Sequence, residues 1–540
     1  MSFLSSFSRI VLIGGFLLLF GGVVKPGGKG GDPAPIVFPE GFHFGTAISG
    51  FQAEMGCPRM PRSACEDPHS DWFAFSTSNV TTRRKKNFLS GEHPSETGPG
   101  FWELYAEDFD RMIADMGLNA FRLSIEWSRI FPEPTDGVTG YEDLKAIADP
   151  NGVRHYHEIF AALAERGIHP FVTLNHYTLP LWIHDALACN RNIHRCSPRG
   201  WLDKTRTIRE ITKFAGFVAR EFGAEIDLWA TLNEPLAVML PGYLAPSPER
   251  TNPPAVIGRS QDAKIVLSAL IEAHARMYDA VIANDVYDAD GDGRNATVGV
   301  VYAMAPVEPM DPGDPLDVQA ARNVFYLWNM VYLNAVALGL YDEDLDGTAE
   351  FREDLAGRLD FVGINYYTRI TVAGLPFSLM PRFSPLMTFD PRGMVLWEDY
   401  PQGIYEMIRV VQEELGLPSI ISETGAEVSG DESKGAAWLV RTLGWTGRAI
   451  EAGADVRGFF YWTLMDNFEW NHGFGLRFGL YAVEPDDPQK ERRARESVPI
   501  YGEIARSGTI SSDLQRRYPL DAPESVASES PARSTRNSWR

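Results

Sequence analysis

Apolar and polar positions follow two periods along this chain. Near-continuous apolar runs of five to nine residues recur, each followed by a longer stretch with amphipathic spacing. The runs are HFGTAIS (43–49), AFRLSI (120–125), HPFVTLN (169–175), LWATLNE (228–234), TVGVVYAMA (297–305), DFVGINYYT (360–368), SIISE (419–423) and VRGFFYWTL (456–464). Runs of this kind predict strands whose two faces are both covered. The stretches after them predict helices near 102–116, 153–167, 205–223, 261–285, 318–340, 403–416, 436–452 and 497–507. In HYHEIFAALAERG (155–167), for example, Ile159 and Leu163 fall four residues apart on one helical face. Eight strand-then-helix units in one chain predict a parallel sheet, and eight is the number that closes it into a single (β/α)₈ barrel. No short internal repeat of the solenoid type interrupts the pattern.

Both ends depart from it. Residues 1–24 contain an apolar run from Ile10 to Val24, preceded by Arg9. At fifteen residues it is short for a membrane span and suits the apolar part of a secretory signal. No small-residue cleavage pattern follows, so an uncleaved N-terminal membrane anchor is the other reading and a buried core helix the third. Residues 25–37 read as a Gly/Pro linker, 38–512 as the barrel, and 513–540 as a disordered Ser/Pro/Arg-rich tail. An exported chain (periplasmic, extracellular or membrane-anchored) agrees with the cysteines. Cys57, Cys65, Cys189 and Cys196 form two close pairs in sequence, which suggests disulfides 57–65 and 189–196, although three connectivities are possible and free buried thiols are the plain alternative. Zinc is disfavoured, because the intervals exceed the usual two to four residues between cysteine ligands. A net charge of −22 excludes nucleic acid as a partner.

In such barrels chemistry collects at the C-terminal ends of the strands. Two of the predicted strands end in glutamate, Glu234 on the fourth and Glu423 on the seventh, and these ends face one another across the mouth. Facing carboxyls are what acetal hydrolysis requires. One must hold a proton for the leaving oxygen; the other must be ionised to attack or to activate water. Arg122 on the second strand is placed to keep Glu423 ionised, and Tyr366 to donate a hydrogen bond to it. Glu234, between Asn233 and Pro235, has no evident cation nearby in sequence and is the better acid.

Around these residues the chain resembles the family 1 glycoside hydrolases, closest in style to the archaeal β-glycosidases. The resemblance is carried by GFQAEMG (50–56), RLSIEWSRIFP (122–132), NHYTLP (175–180), TLNEP (231–235), GINYYT (363–368), SETG (422–425) and WTLMDNFEWNHGFGLRFGL (462–480). It implies a retaining exo-β-glycosidase acting on β-glucosides, β-galactosides or β-fucosides through a covalent glycosyl-enzyme, with no cofactor for catalysis. By position, Glu423 matches the nucleophile and Glu234 the acid/base. Asn233 matches the residue on the sugar 2-hydroxyl. Gln52, His176, Glu469 and Trp470 match those binding the other hydroxyls, Trp462 matches the stacking platform, and Arg122 and Tyr366 match the pair orienting the nucleophile. Thr424 stands where the family usually has Asn, and Tyr177 where Trp or Phe is commoner. The N-terminal apolar segment keeps open a second reading, a membrane-associated enzyme that transfers sugar to a lipid or alcohol. A third is a non-catalytic sugar-binding barrel.

Two acidic loops fall on the opposite end of the expected barrel. In YDEDLDGTAEFRE (341–353), Asp342, Asp344, Asp346, Thr348 and Glu353 have the spacing of a calcium loop. Asp288, Asp290 and Asp292 match it more weakly, because Gly299 occupies the twelfth position. The expectation is a structural Ca²⁺ clip, not a part of the sugar chemistry.

Overall fold

The structure is a computed structural model that describes residues 32–83 and 87–520. Its centre is a closed, all-parallel barrel of eight strands: β1 His43–Ala47, β2 Ala120–Ser124, β3 His169–Asn175, β4 Leu228–Asn233, β5 Thr297–Ala303, β6 Phe361–Asn365, β7 Ser419–Thr424 and β8 Val456–Trp462. Neighbours in the barrel are neighbours in the chain, and β8 closes on β1 with Gly458 opposite His43 and Trp462 opposite Ala47. The principal covering helices are α1 Phe101–Arg111, α2 Pro150–Glu165, α3 Lys204–Phe222, α4 Ser260–Asn284, α5 Pro315–Phe325, α6 Gly403–Val410, α7 Ser433–Glu451 and α8 Ser497–Ser507. All eight fall where the amphipathic spacing puts them. Helix α2 starts at Pro150, earlier than its apolar period suggests, because the Asp149 carboxylate accepts from the Asn151 and Gly152 N–H groups (2.7 and 3.1 Å).

The barrel interior is filled in a large-and-small pattern. Ala47, Ala120 and Ala230 leave room for the rings of Phe171, Phe361 and Phe460, which meet edge to face at 5.5–5.7 Å. Gly45 and Gly299 belong to the same fit, since a Cβ at either would lie 2.6 Å from the Phe460 or Phe361 ring. This aromatic layer is the floor under the strand ends, so polar side chains above it work from a dry base.

The ends differ from the expected boundaries. Ile36–Val37, expected in the linker, form a short strand paired with Thr509–Ile510, and Ser512–Arg517, of which all but Ser512 were expected in the disordered tail, form a helix. Burial explains both. Ile36 and Leu514 are fully buried, and Gln515 and Ser512 donate to the Ala34 and Pro33 carbonyls at 2.8 and 2.6 Å. The apolar segment at residues 1–24 and the tail from 521 lie outside the described residues. Among those described, no helix is long and apolar enough to cross a membrane. The cysteines pair as 57–65 and 189–196.

Candidate active site

Glu234 follows the last residue of β4 in left-handed backbone (φ +42°, ψ +67°), which is rare for a side chain with a Cβ. Its N–H donates to the Val301 carbonyl at 2.8 Å, and Pro235 starts the next helix, so the strained residue is fixed on both sides. Both carboxylate oxygens have donors: the Asn365 amide reaches Oε1 at 2.8 Å and the Tyr177 hydroxyl reaches Oε2 at 2.5 Å.

Glu423 sits on β7, almost fully buried. Arg122 Nη1 donates to its Oε1 at 2.5 Å, and the Tyr367 hydroxyl to its Oε2 at 2.9 Å. Burial pushes the Glu423 carboxyl up to about 7, against the downward pull of Arg122, with the Glu234 charge adding to the rise. Arg122 is fully buried and bridges the two halves of the site. Its Nη2 donates to Asn233 Oδ1 at 2.8 Å, while its Nε donates to Thr173 at 3.1 Å. One guanidinium thus fixes Glu423 and the residue before Glu234 in a single plane.

The remaining polar groups line the same opening. Asn233 Nδ2 lies 3.1 Å from His176 Nε2. Burial, with Arg122 and Arg250 nearby, depresses the His176 pKa, so the ring is neutral. With Nε2 accepting from Asn233, the proton belongs on Nδ1, a buried donor with no protein partner. Gln52 Nε2 donates to Glu469 Oε2 at 3.0 Å, and Trp462 Nε1 to Glu469 Oε1 at 3.2 Å. Burial raises the Glu469 carboxyl to about 8. The His176 ring lies near-parallel to Trp462 and Trp470, at 6.1 and 5.8 Å between centroids. Nine of the ten residues expected at the site therefore converge here.

The tenth, Tyr366, does not reach Glu423. Its hydroxyl donates to the Tyr400 carbonyl and its ring stacks on Trp438 of α7. The cause is the strand period. Asn365 faces inward to Glu234 and Asn233, so Tyr366 faces out and Tyr367 returns inward. Thr424 faces out for the same reason and accepts from Trp438 Nε1 at 2.9 Å, so the missing Asn lies behind the pocket wall. Asn365, Tyr367 and the Glu234 contact of Tyr177 were not anticipated; alternation counted from Asn365 would have found Tyr367.

Residues 34–509 match the sequence profile of glycosyl hydrolase family 1. The chain belongs to that family. It is 34% identical to the β-galactosidase of Pyrococcus woesei over 89% of this chain and 99% of that one. The β-galactosidase of Saccharolobus solfataricus is 32% identical, covering 88% and 97%. Among solved structures, the β-glycosidase of Thermosphaera aggregans superimposes with a TM-score of 0.75 at 28% identity, over 90% of this chain and 100% of that one. The family 1 glycosidases need no cofactor for catalysis, and this protein is a glycoside hydrolase.

The acidic loops lie at the other end of the barrel, and only part of each expected set gathers. Asp342, Asp344 and Asp346 come together without Glu353. Leu340–Tyr341 pair with Glu350–Phe351 as a hairpin, and Glu353 lies beyond that pairing, outside the group of three carboxylates. The Asp342 carboxylate accepts from Gly347 N–H, Asp346 N–H and the Tyr326 hydroxyl at 2.8–3.1 Å, and Thr348 N–H donates to Asp346 at 2.7 Å. In the second loop, Asp288 and Asp290 gather with Asp227, whereas Asp292 turns to the Arg294 N–H at 2.8 Å.

Proposed function

We propose that the pocket removes a terminal β-linked glucose, galactose or fucose by double displacement. Glu423 is the nucleophile and Glu234 the acid/base. The observation that carries the reading is Arg122, which ties Glu423 to Asn233 and leaves Glu234 held only by uncharged donors. In the first step a Glu423 oxygen bonds to the anomeric carbon as the glycosidic C–O bond breaks, and the Glu234 proton passes to the departing oxygen. In the second, Glu234 takes a proton from water, the water oxygen bonds to that carbon, and Glu423 is released. The neutral His176, Gln52 and Glu469 offer donors and acceptors to adjacent hydroxyls, while the Trp462 and Trp470 rings give the sugar an apolar face. The β-galactosidases and β-glucosidases among its relatives support both sugars as substrates.

Glu423→Gly is expected to reduce hydrolysis of an aryl β-glucoside by several orders of magnitude, and azide to restore turnover with release of the inverted glycosyl azide. Near-normal hydrolysis by the variant without azide would overturn the assignment.

The reading extends to export. The apolar run before the barrel and the two disulfides support a periplasmic, extracellular or membrane-anchored enzyme. N-terminal sequencing of the mature protein is expected to show either loss of the apolar run or its retention in a membrane fraction; retention in a soluble cytoplasmic fraction would refute export.

A further inference from the structure

We propose that the loop between α4 and β5 binds one calcium ion, with Asp227 from the start of β4 replacing the acidic residue that the loop lacks at its twelfth position. The run Asp288-Ala289-Asp290-Gly291-Asp292-Gly293 has the opening of a calcium loop, and Gly299 stands where the closing carboxylate belongs. The fold brings a carboxylate from elsewhere in the chain. Asp227 directly precedes β4, and its carbonyl accepts from the Thr297 N–H at 2.7 Å, beside the first residue of β5. Its Oδ2 accepts from the Asp290 N–H, which turns the carboxylate toward the loop. One oxygen from each of Asp227, Asp288 and Asp290 falls within 4.8 Å of the others. Opposite ligands on Ca²⁺, each about 2.3–2.6 Å from the ion, stand about 4.6–5.2 Å apart, so one ion can touch all three.

Asp227 Oδ1 is the atom that calls for a cation. The residue is only 9% exposed, and this oxygen has no hydrogen-bond donor among the described residues. A buried carboxylate oxygen with neither donor nor cation is costly. The basic residue of the loop, Arg294, does not answer it, because its guanidinium pairs with Asp360 at 3.2 Å. Asp288 accepts from the Gly291 and Gly293 N–H groups (2.7 and 3.0 Å) and Asp290 from the Asp292 N–H (2.9 Å). Those bonds shape the loop and leave each carboxylate further lone pairs for an ion. Three carboxylates with no thiolate or imidazole among them suit a hard cation such as Ca²⁺. The Asp342 loop has the same spacing without the same demand. Asp342 Oδ1 accepts from the Asp346 N–H, and its Oδ2 from the Gly347 N–H and the Tyr326 hydroxyl, so both oxygens are supplied. Lys264 also donates to the Asp344 carbonyl there at 2.6 Å, bringing a positive charge to that loop. The ion is therefore assigned to one loop of the two. It ties the α4–β5 connection to the start of β4, at the N-terminal end of the strands, where it serves stability and not the sugar chemistry.

The test is calorimetric titration of the chelator-stripped full chain with calcium chloride. Sodium chloride at about 0.15 M suppresses diffuse attraction of the ion to a net charge of −22. Saturable binding of one ion per chain is expected, with a Kd of about 0.1–1 mM, the weak end of the range for such loops. Asp227→Asn is expected to weaken binding at least about tenfold, and Asp342→Asn to leave Kd within about twofold of the wild type. At about 10 mM calcium the wild-type melting temperature is expected to rise by about 1–3 °C, and that of Asp227→Asn to stay where it was. No saturable binding by the wild type, or equal affinity in the wild type and Asp227→Asn, would overturn the inference. Loss of binding in Asp342→Asn with retention in Asp227→Asn would overturn it as well. Should Asp227→Asn fail to fold, Asp290→Asn, on the exposed side of the loop, carries the same expectation.

Discussion

Two donors hold Glu423, and they differ in kind. Arg122 supplies charge as well as a hydrogen bond, whereas Tyr367 supplies a hydrogen bond alone. Removing a neutral donor from a buried carboxylate costs about 1.5–3 kcal/mol. Tyr367→Phe is therefore expected to lower kcat/KM by roughly 10- to 100-fold and to move its acid limb upward, because the ionised nucleophile loses support. Tyr366→Phe is expected to leave the limb in place and to lower the melting temperature instead, since its hydroxyl serves Tyr400 behind the wall. The two variants assayed side by side check this, and equal effects on the pH profile would contradict it. The adjacent tyrosines also mark how far residue-level reading goes. Glu234, Glu423 and Arg122 were legible because each ends or lines a recognisable strand. Tyr367 was not, because the motif alone does not say which of two neighbours points inward; the pleat counted from Asn365 decides it. The Tyr177 contact was hidden for another reason. It depends on backbone with positive φ, which no apolar or polar pattern records.

At the scale of elements, the strands and helices were legible because each buries a defined face. All eight strand runs are strands of the barrel, and the helix spacing holds to within a few residues. The Asp-rich loops show where pattern and structure part. Spacing of Asp342, Asp344 and Asp346 is shared by calcium loops and by tight polar turns, because both need short side-chain acceptors aimed at successive backbone N–H groups. Here Glu350–Phe351 pair back on Leu340–Tyr341, so Asp342, Asp344 and Asp346 gather inside a hairpin while Glu353 lies beyond it. Tyr326 then contributes from the segment that continues α5, binding the hairpin to the covering layer through Asp342. The pairing is non-local to the motif, and only two residues long on each strand. A strand that short has no period to detect, and the same limit hid the Ile36–Val37 strand at the other end of the chain.

Over the whole molecule, buried carboxyls set how stability depends on pH. Burial raises Glu126 and Glu469 to about 8, and Glu406 to about 7. Each is protonated in the folded state over a range in which the unfolded chain, with an ordinary value of 4.5, has lost its proton. The folded state therefore binds more protons between about pH 4.5 and 8, and stability falls as pH rises through that window. Each group contributes at most about 1.4 kcal/mol per pH unit. The net charge of −22 acts in the same direction by self-repulsion. Below the window the sign reverses, because Arg493 and Arg495 hold Glu432 down at about 2, and that support is lost on acidification. The melting temperature is thus expected to peak near pH 5 and to decline toward pH 9. Glu126 isolates one contributor. It lies outside the sugar-binding set and takes hydrogen bonds from Thr178 (2.6 Å), Ser124 (3.1 Å) and the Phe51 N–H (3.2 Å), beside the charge of Glu54. Glu126→Gln reproduces the protonated shape without the titration. Its melting temperature is expected to match the wild type near pH 5 and to exceed it by about 2–4 °C at pH 8. Calorimetry of both proteins across that range is the measurement, and parallel melting curves would show that Glu126 is not a source of the decline.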